Sequence, residues 1–192
     1  HRVDRRQRQM CIRDRGGPGW AAGDYHGNDT DVSAAGFSTS ALAANFIYAM
    51  WCDTAEPTPI DRIGAEVTTI SAGKSFRCAI LGRGPRGLPG ALLLDSGNLS
   101  AGSTGFIEAT VAVTLPSGGV WLCINAEDAT MQFRVIATGN RIARVGKAAG
   151  GGTSAYGCRT VSSAFGAFPA TFPAGSIPVS YTHLRAHETP EH

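Results

Sequence analysis

Phe106-Ile107-Glu108-Ala109-Thr110-Val111-Ala112-Val113-Thr114-Leu115 is the run that decides the fold. Ile107, Ala109, Val111, Val113 and Leu115 occupy alternate positions, and Glu108, Thr110 and Thr114 lie between them. Successive side chains of an extended strand point to opposite faces, so a period of two collects these apolar groups on one side and leaves the polar ones on the other. A helix would spread the same residues around its circumference and bury none of them as a set.

The same period recurs on either side. In residues 60–69, Ile63, Ala65 and Val67 face one way and Arg62, Glu66 and Thr68 the other. In residues 75–81, Phe76, Cys78 and Ile80 oppose Ser75 and Arg77, and in residues 131–136, Met131, Phe133 and Val135 oppose Gln132 and Arg134. Residues 119–125 are continuously apolar around Val120-Trp121-Leu122-Cys123-Ile124, which predicts a strand covered on both faces. Residues 45–51 read as a further strand, with Leu42-Ala43-Ala44 as a possible helical start, and residues 91–95 as a short edge strand. Turn residues separate the runs: Ser71-Ala72-Gly73-Lys74, the Gly82 to Gly87 stretch, Ser96-Gly97-Asn98 and Pro116-Ser117-Gly118-Gly119. Strands every 10–15 residues with no long helical pattern predict an all-β, antiparallel sandwich or barrel, and we read it as a β-sandwich of jelly-roll type. Phe76, Val67, Ile107, Val111 and Trp121 are its expected core. Residues 16–40 read as loop or linker with room for a short first strand, residues 146–160 as a Gly/Ala/Ser-rich surface loop, and residues 41–178 as the sandwich domain.

Composition agrees. Glycine accounts for 25 of 192 residues and charged residues for 17%, which excludes a coiled coil or a charged disordered tail. No apolar run reaches the ~20 residues of a membrane-spanning helix, so no membrane insertion is expected.

The ends differ from the middle. Residues 1–15 hold six Arg and two Asp, and Gln9-Met10-Cys11-Ile12-Arg13-Asp14-Arg15 resembles a translated transposon-end sequencing adapter. Val179-Ser180-Tyr181-Thr182-His183-Leu184-Arg185-Ala186-His187-Glu188-Thr189 resembles the same adapter read in the opposite sense. The resemblance implies that residues 1–15 and 179–192 are not native, and they are set aside from fold reasoning. They carry seven Lys/Arg and four Asp/Glu, which leaves ten positive and eleven negative residues, a net charge of −1, in residues 16–178. The +2 of the whole chain is thus no argument for nucleic acid as a partner. Cys52, Cys78, Cys123 and Cys158 remain, far apart and without a C-x-x-C pair. They read as free thiols, Cys78 and Cys123 as small buried groups, with a disulfide as the alternative.

Several segments then suggest a family: Ala43-Ala44-Asn45-Phe46-Ile47-Tyr48-Ala49, Ile60-Asp61-Arg62-Ile63-Gly64 leading into Val67-Thr68-Thr69, Leu88-Pro89-Gly90-Ala91-Leu92-Leu93-Leu94-Asp95-Ser96-Gly97, Leu115-Pro116-Ser117-Gly118-Gly119-Val120-Trp121-Leu122, and Ala164-Phe165-Gly166-Ala167-Phe168-Pro169-Ala170-Thr171-Phe172-Pro173. In this order, over residues 41–174, they resemble a β-sandwich domain of bacteriophage minor tail and tail-fibre proteins. The resemblance implies a non-enzymatic virion component with tail subunits as partners, a host cell-surface glycan as a further contact and homo-oligomers as an expectation. It also implies a further closing strand after the Phe-Pro segment, where Ile177-Pro178 instead meets adapter-like sequence, so a last strand is expected to be missing through truncation. The alternative is a carbohydrate-binding module or adhesin of a secreted or cell-surface bacterial protein.

Chemical motifs are sparse. Ala72-Gly73-Lys74-Ser75 resembles the end of a phosphate-binding loop, but Thr68 stands where that motif needs its first glycine, and a hairpin turn is expected. His26 is the only histidine outside the set-aside ends, and no Gly-x-Ser-x-Gly elbow occurs, so no nucleophile system is expected. His183 and His187 have helical metal-ligand spacing but lie within the adapter-like run. Asp24, Asn28, Asp29 and Asp31 offer hard oxygen ligands without the order of a calcium loop, and we read them as solvated turn residues. Glu66 and Glu108 fall on outward faces, a poor start for a glycosidase pair. No cofactor is expected. Binding candidates are amphipathic aromatics in or beside loops, Tyr25 and Trp51, and the cations Arg83 and Arg86 flanking a Gly-Pro tip, where acidic polymers would be met.

Overall fold

The computed structural model describes residues 37–136 and 158–173. Ten strands run in chain order: β1 (Phe37–Ala41), β2 (Phe46–Cys52), β3 (Thr58–Thr69), β4 (Ser75–Arg83), β5 (Pro89–Asp95), β6 (Leu99–Ser100), β7 (Gly105–Leu115), β8 (Val120–Ala126), β9 (Gln132–Ile136) and β10 (Cys158–Ser162). They form two antiparallel sheets packed face to face. One sheet has the order β1-β9-β3-β7, and the other β10-β2-β8-β4-β5 with β6 also paired to β4. Without the two-residue β6 and the added β10, the eight remaining strands have jelly-roll order. Each successive strand passes to the opposite sheet, except for the β4–β5 hairpin. The fold is therefore the expected all-β sandwich, and its eight jelly-roll strands are complete by Ile136.

Between the sheets lie Phe76, Cys78 and Ile80 of β4, Val120 and Ala126 of β8, Val67 of β3, Phe133 of β9 and Leu115 of β7, all buried. Phe76 and Phe133 meet edge to face at 5.1 Å. At Ile60/Arg62 the register of β3 against β7 slips by one residue. This bulge rephases β3, so that Ile60 and Ile63 both pack against the same part of the core. Gly64 sits where β7 approaches most closely. A Cβ there would stand 2.8 Å from Glu108 Cα and closer still to the Ile107 carbonyl.

Of the five expected core residues, Phe76, Val67 and Trp121 are buried. Ile107 and Val111 face inward, as the alternation requires, but are half-buried, because β7 is the outer strand of its sheet and has a neighbour on one side only. The continuous apolar run in β8 is explained by its central position, with both faces covered as expected. Val120, Leu122, Ile124 and Ala126 look into the sandwich, while Trp121 and Cys123 belong to a second cluster on the outer face. That cluster includes Ile47, Ala49, Ala79, Leu81 and Val161, and it is roofed by Phe168 and Phe172.

Those two phenylalanines come from a strap, residues 163–173, that crosses the outer face from β2 to β5. Asn45 holds its start, the carbonyl accepting from Ser163 N–H at 2.8 Å and Oδ1 from Phe165 N–H at 3.0 Å. Asp95 Oδ2 accepts from Phe168 N–H at 2.9 Å. Leu92 N–H donates to Ala170 O, Phe172 N–H donates to Gly90 O, and Ala91 and Thr171 form an isolated antiparallel bridge. The outer edge of β5 is thereby partly closed.

Three expectations need adjustment. Residues 71–74 do form a turn, with Lys74 N–H donating to Ser71 O at 3.1 Å. It is no hairpin, however, for it carries the chain from β3 in one sheet to β4 in the other. Residues 42–44 are not helical. The loop expected over residues 146–160 ends in strand, since β10 pairs with β2 from Cys158↔Met50 to Ser162↔Phe46. The short first strand allowed for within residues 16–40 is β1, paired with β9. Both adapter-like ends, Tyr25, His26 and the Asp24–Asp31 cluster lie outside the described residues. Cys52, Cys78 and Cys123 are buried and in no disulfide; burial, with the Asp95 charge, pushes the Cys78 thiol up to about 12.

Candidate functional site

Of the candidate binding residues, the described ones gather at one end of the outer face. Trp51 and Trp121 are register partners on β2 and β8, and Trp121 is in turn opposite Leu81 on β4. An antiparallel sheet places such opposite side chains on one face within contact range. The two indoles meet edge to face at 5.5 Å and 69°. Trp121 is buried and donates its Nε1–H to the Gly87 carbonyl at 3.2 Å, which ties the β4–β5 tip to the sheet. Trp51 is half-buried and donates its Nε1–H to Asp53 Oδ1 at 2.7 Å.

Arg83 ends β4 on the same face as Leu81. Its guanidinium carbon lies over the Trp51 ring, 5.9 Å from the centroid, within the range of a cation–π contact. Arg86 sits on the tip itself, in a 3-10 turn over Pro85–Gly87, with φ 59° and ψ 20°. Gly119 completes the seat of Trp51. Its φ is +95°, and a Cβ there would stand 2.6 Å from Trp51 Cη2. Only a residue without a side chain leaves the indole where it is. Thr54, buried behind this turn, accepts from Gly119 N–H at 2.9 Å and donates to the Pro116 carbonyl.

The structure thus joins Trp51 to Arg83, places Arg86 on the adjoining tip, and leaves Tyr25 undescribed. The roles of Gly119, Asp53 and Trp121 were not read from the sequence. The Trp121–Trp51 pairing depends on register between strands about 70 positions apart, for which no local signal exists.

Other chemical candidates are absorbed elsewhere. Glu127 occupies the loop that resembles a phosphate cradle: Oε1 accepts from Lys74 Nζ at 3.1 Å and Oε2 from Ser75 N–H at 2.9 Å. The Lys74 hydrogen bond, more than any other contact, holds the Glu127 carboxyl below its ordinary range. Glu66 pairs with Arg134 and Glu108 with Arg62, each at 3.0 Å, on the outer face of the four-stranded sheet. Burial raises the pKa of Asp95, but hydrogen bonds from Arg77, Phe168 N–H and Gly97 N–H outweigh it and hold the carboxyl low. Among the described residues no three His, Cys, Asp or Glu side chains converge as metal ligands, and no helix is long and apolar enough to cross a membrane. Comparison with protein-family models, curated proteins and solved structures finds no match.

Proposed function

We infer that the domain is a non-enzymatic component of a bacteriophage tail or tail fibre, carried in the virion among other tail subunits, and that it offers the Trp51–Arg83 end of its outer face to the host surface. The observation that carries this reading is the strand order: jelly rolls serve as rigid viral structural domains and as lectins, with loops at their ends free to vary. The order of the segments quoted above, from Ala43 to Pro173, supports it from the side of the sequence. A second reading, a carbohydrate-binding module or adhesin of a secreted bacterial protein, is favoured by the half-exposed Trp51, since an indole with one wet edge suits sugar contact. Sequencing outward along the source DNA separates the two. Tail-assembly genes on either side are expected, and a secretion signal or a hydrolase domain in the same reading frame would overturn the first reading.

A further inference from the structure

The arginines of the described surface are nearly all engaged. Arg62 is held by Glu108, Arg77 by Asp95 and Asn98, and Arg134 by Glu66, while Arg86 and Arg159 have contacts of their own. Arg83 differs. It rests on the Trp51 ring, and its Nε and Nη2 lie beside Gly87, 3.6 and 3.8 Å from where a Cβ would stand. No carboxylate among the described residues is within ion-pair distance of it. The nearest acidic residue in sequence to the ring, Asp53, takes the indole N–H instead. A guanidinium restrained by an aromatic face, with its forked donors directed to no acceptor among the described residues, is preorganised for a planar or tetrahedral oxyanion.

The tip beside it is equally fixed. Gly87 N–H donates to Gly84 O at 3.1 Å, Leu88 N–H to Pro85 O at 3.2 Å, and Trp121 anchors the Gly87 carbonyl. Arg86 is held there in left-handed backbone, a conformation that is strained for a non-glycine residue and that clusters at functional sites. The tip therefore carries a second cation three positions along the chain from the first.

We propose that Trp51 and Arg83, with Arg86 on the adjoining tip, form a binding site for an oxyanion carried on a surface polymer, either a carboxylate or a phosphate ester. The site deepens the host-contact reading and rests on it. Trp51 supplies the platform, Arg83 the bidentate donor and Arg86 additional positive charge, while Gly119 and Trp121 hold the platform in place.

The test is binding of the full chain to immobilised polygalacturonate, to poly(glycerol phosphate) and to neutral dextran, at low and at raised salt. Binding to one or both of the acidic polymers, weakened by salt, is expected. Arg83→Gln should weaken it about tenfold, the equivalent of one charge-assisted bidentate contact at an exposed position. Arg83→Lys should fall between, since it keeps the charge and loses the fork. Arg134→Gln, which removes the same charge from the other sheet, should bind like the parent. Which acidic polymer responds tells carboxylate from phosphate. Equal losses from Arg83→Gln and Arg134→Gln would reduce the effect to net charge and overturn the site. Dextran binding unaffected by Arg83→Gln, with no response to either acidic polymer, would overturn the oxyanion site and leave the host-contact reading standing. Silence on all three polymers, with the chain folded by circular dichroism, would overturn both.

Discussion

Phe168→Ala is the most informative single change, because it asks whether the strap is part of the fold. Phe168 is 6% exposed and belongs to the outer-face cluster of Ile47, Ala49, Ala79, Leu81, Trp121, Cys123 and Val161. A Phe→Ala change in a closed core costs about 3–5 kcal/mol, part for the lost transfer of the ring and part for the cavity. The strap crosses the outside of the sheet, so it can settle partway into the gap, and the lower end, about 3 kcal/mol, is expected. Against a total stability of about 5–15 kcal/mol this is a large fraction. In a domain of this size it lowers Tm by roughly 6–12 °C. Urea unfolding followed by far-ultraviolet circular dichroism measures it, with the midpoint falling and the slope unchanged. Phe165→Ala, at a half-buried position of the same segment, should cost clearly less. A loss below about 0.5 kcal/mol for Phe168→Ala, the size of an ordinary surface substitution, would refute the claim that the strap closes the outer face.

Gly119→Ala should displace the Trp51 indole, shift tryptophan emission and cost about 1–3 kcal/mol, as overpacking does; unchanged emission would contradict the seat described for Trp51. Gly64→Val should destabilise through collision with the β7 backbone, seen as a lower urea midpoint and without change in the tryptophan environment. Asp128 is held at about 2 by the Ser71 hydroxyl first, with Thr130 and Met131 N–H groups adding to it. Its folded pKa is depressed, so its contribution is complete above the ordinary carboxylate value near 4 and is lost as pH falls toward 2. Asp128→Asn should therefore flatten the acid limb of a stability-against-pH curve between about pH 4 and 2. Cys52, Cys78 and Cys123 should resist a thiol reagent in the native chain and react once it is unfolded in urea.

What the sequence disclosed follows from where period-two patterning is strong. β7 alternates cleanly because one of its faces is wet, and β8 reads as solidly apolar because neither is. β10 escaped, and β1 was allowed for without being placed, for the opposite reason. Phe-Ser-Thr-Ser-Ala and Cys-Arg-Thr-Val-Ser are short outer strands at sheet edges, where backbone pairing with β9 and β2 does more than side-chain burial. The slip between β3 and β7, with its extra residue on β7, was invisible because it trades one phase of alternation in β3 for another, leaving Ile60 and Ile63 both inward although they are three apart. At the site, Arg83 and Arg86 were legible as the flanks of a Gly-Pro tip, and Trp51 as an aromatic beside a loop. Their meeting was not, since it follows from β2 and β4 both lying beside β8, a fact of topology with no local trace. The Phe-Pro segment stood out only as a family resemblance; its physical role as a roof over the outer-face cluster required the outer face to be seen.

Cross-strand nuclear Overhauser contacts test the jelly-roll order most directly. Thr39 with Arg134 should report β1 beside β9, and Ala49 with Cys123 should report β2 beside β8. Finding both sets would establish that consecutive strands sit in opposite sheets. Contacts between β1 and β2 instead, as in a simple meander, would contradict it.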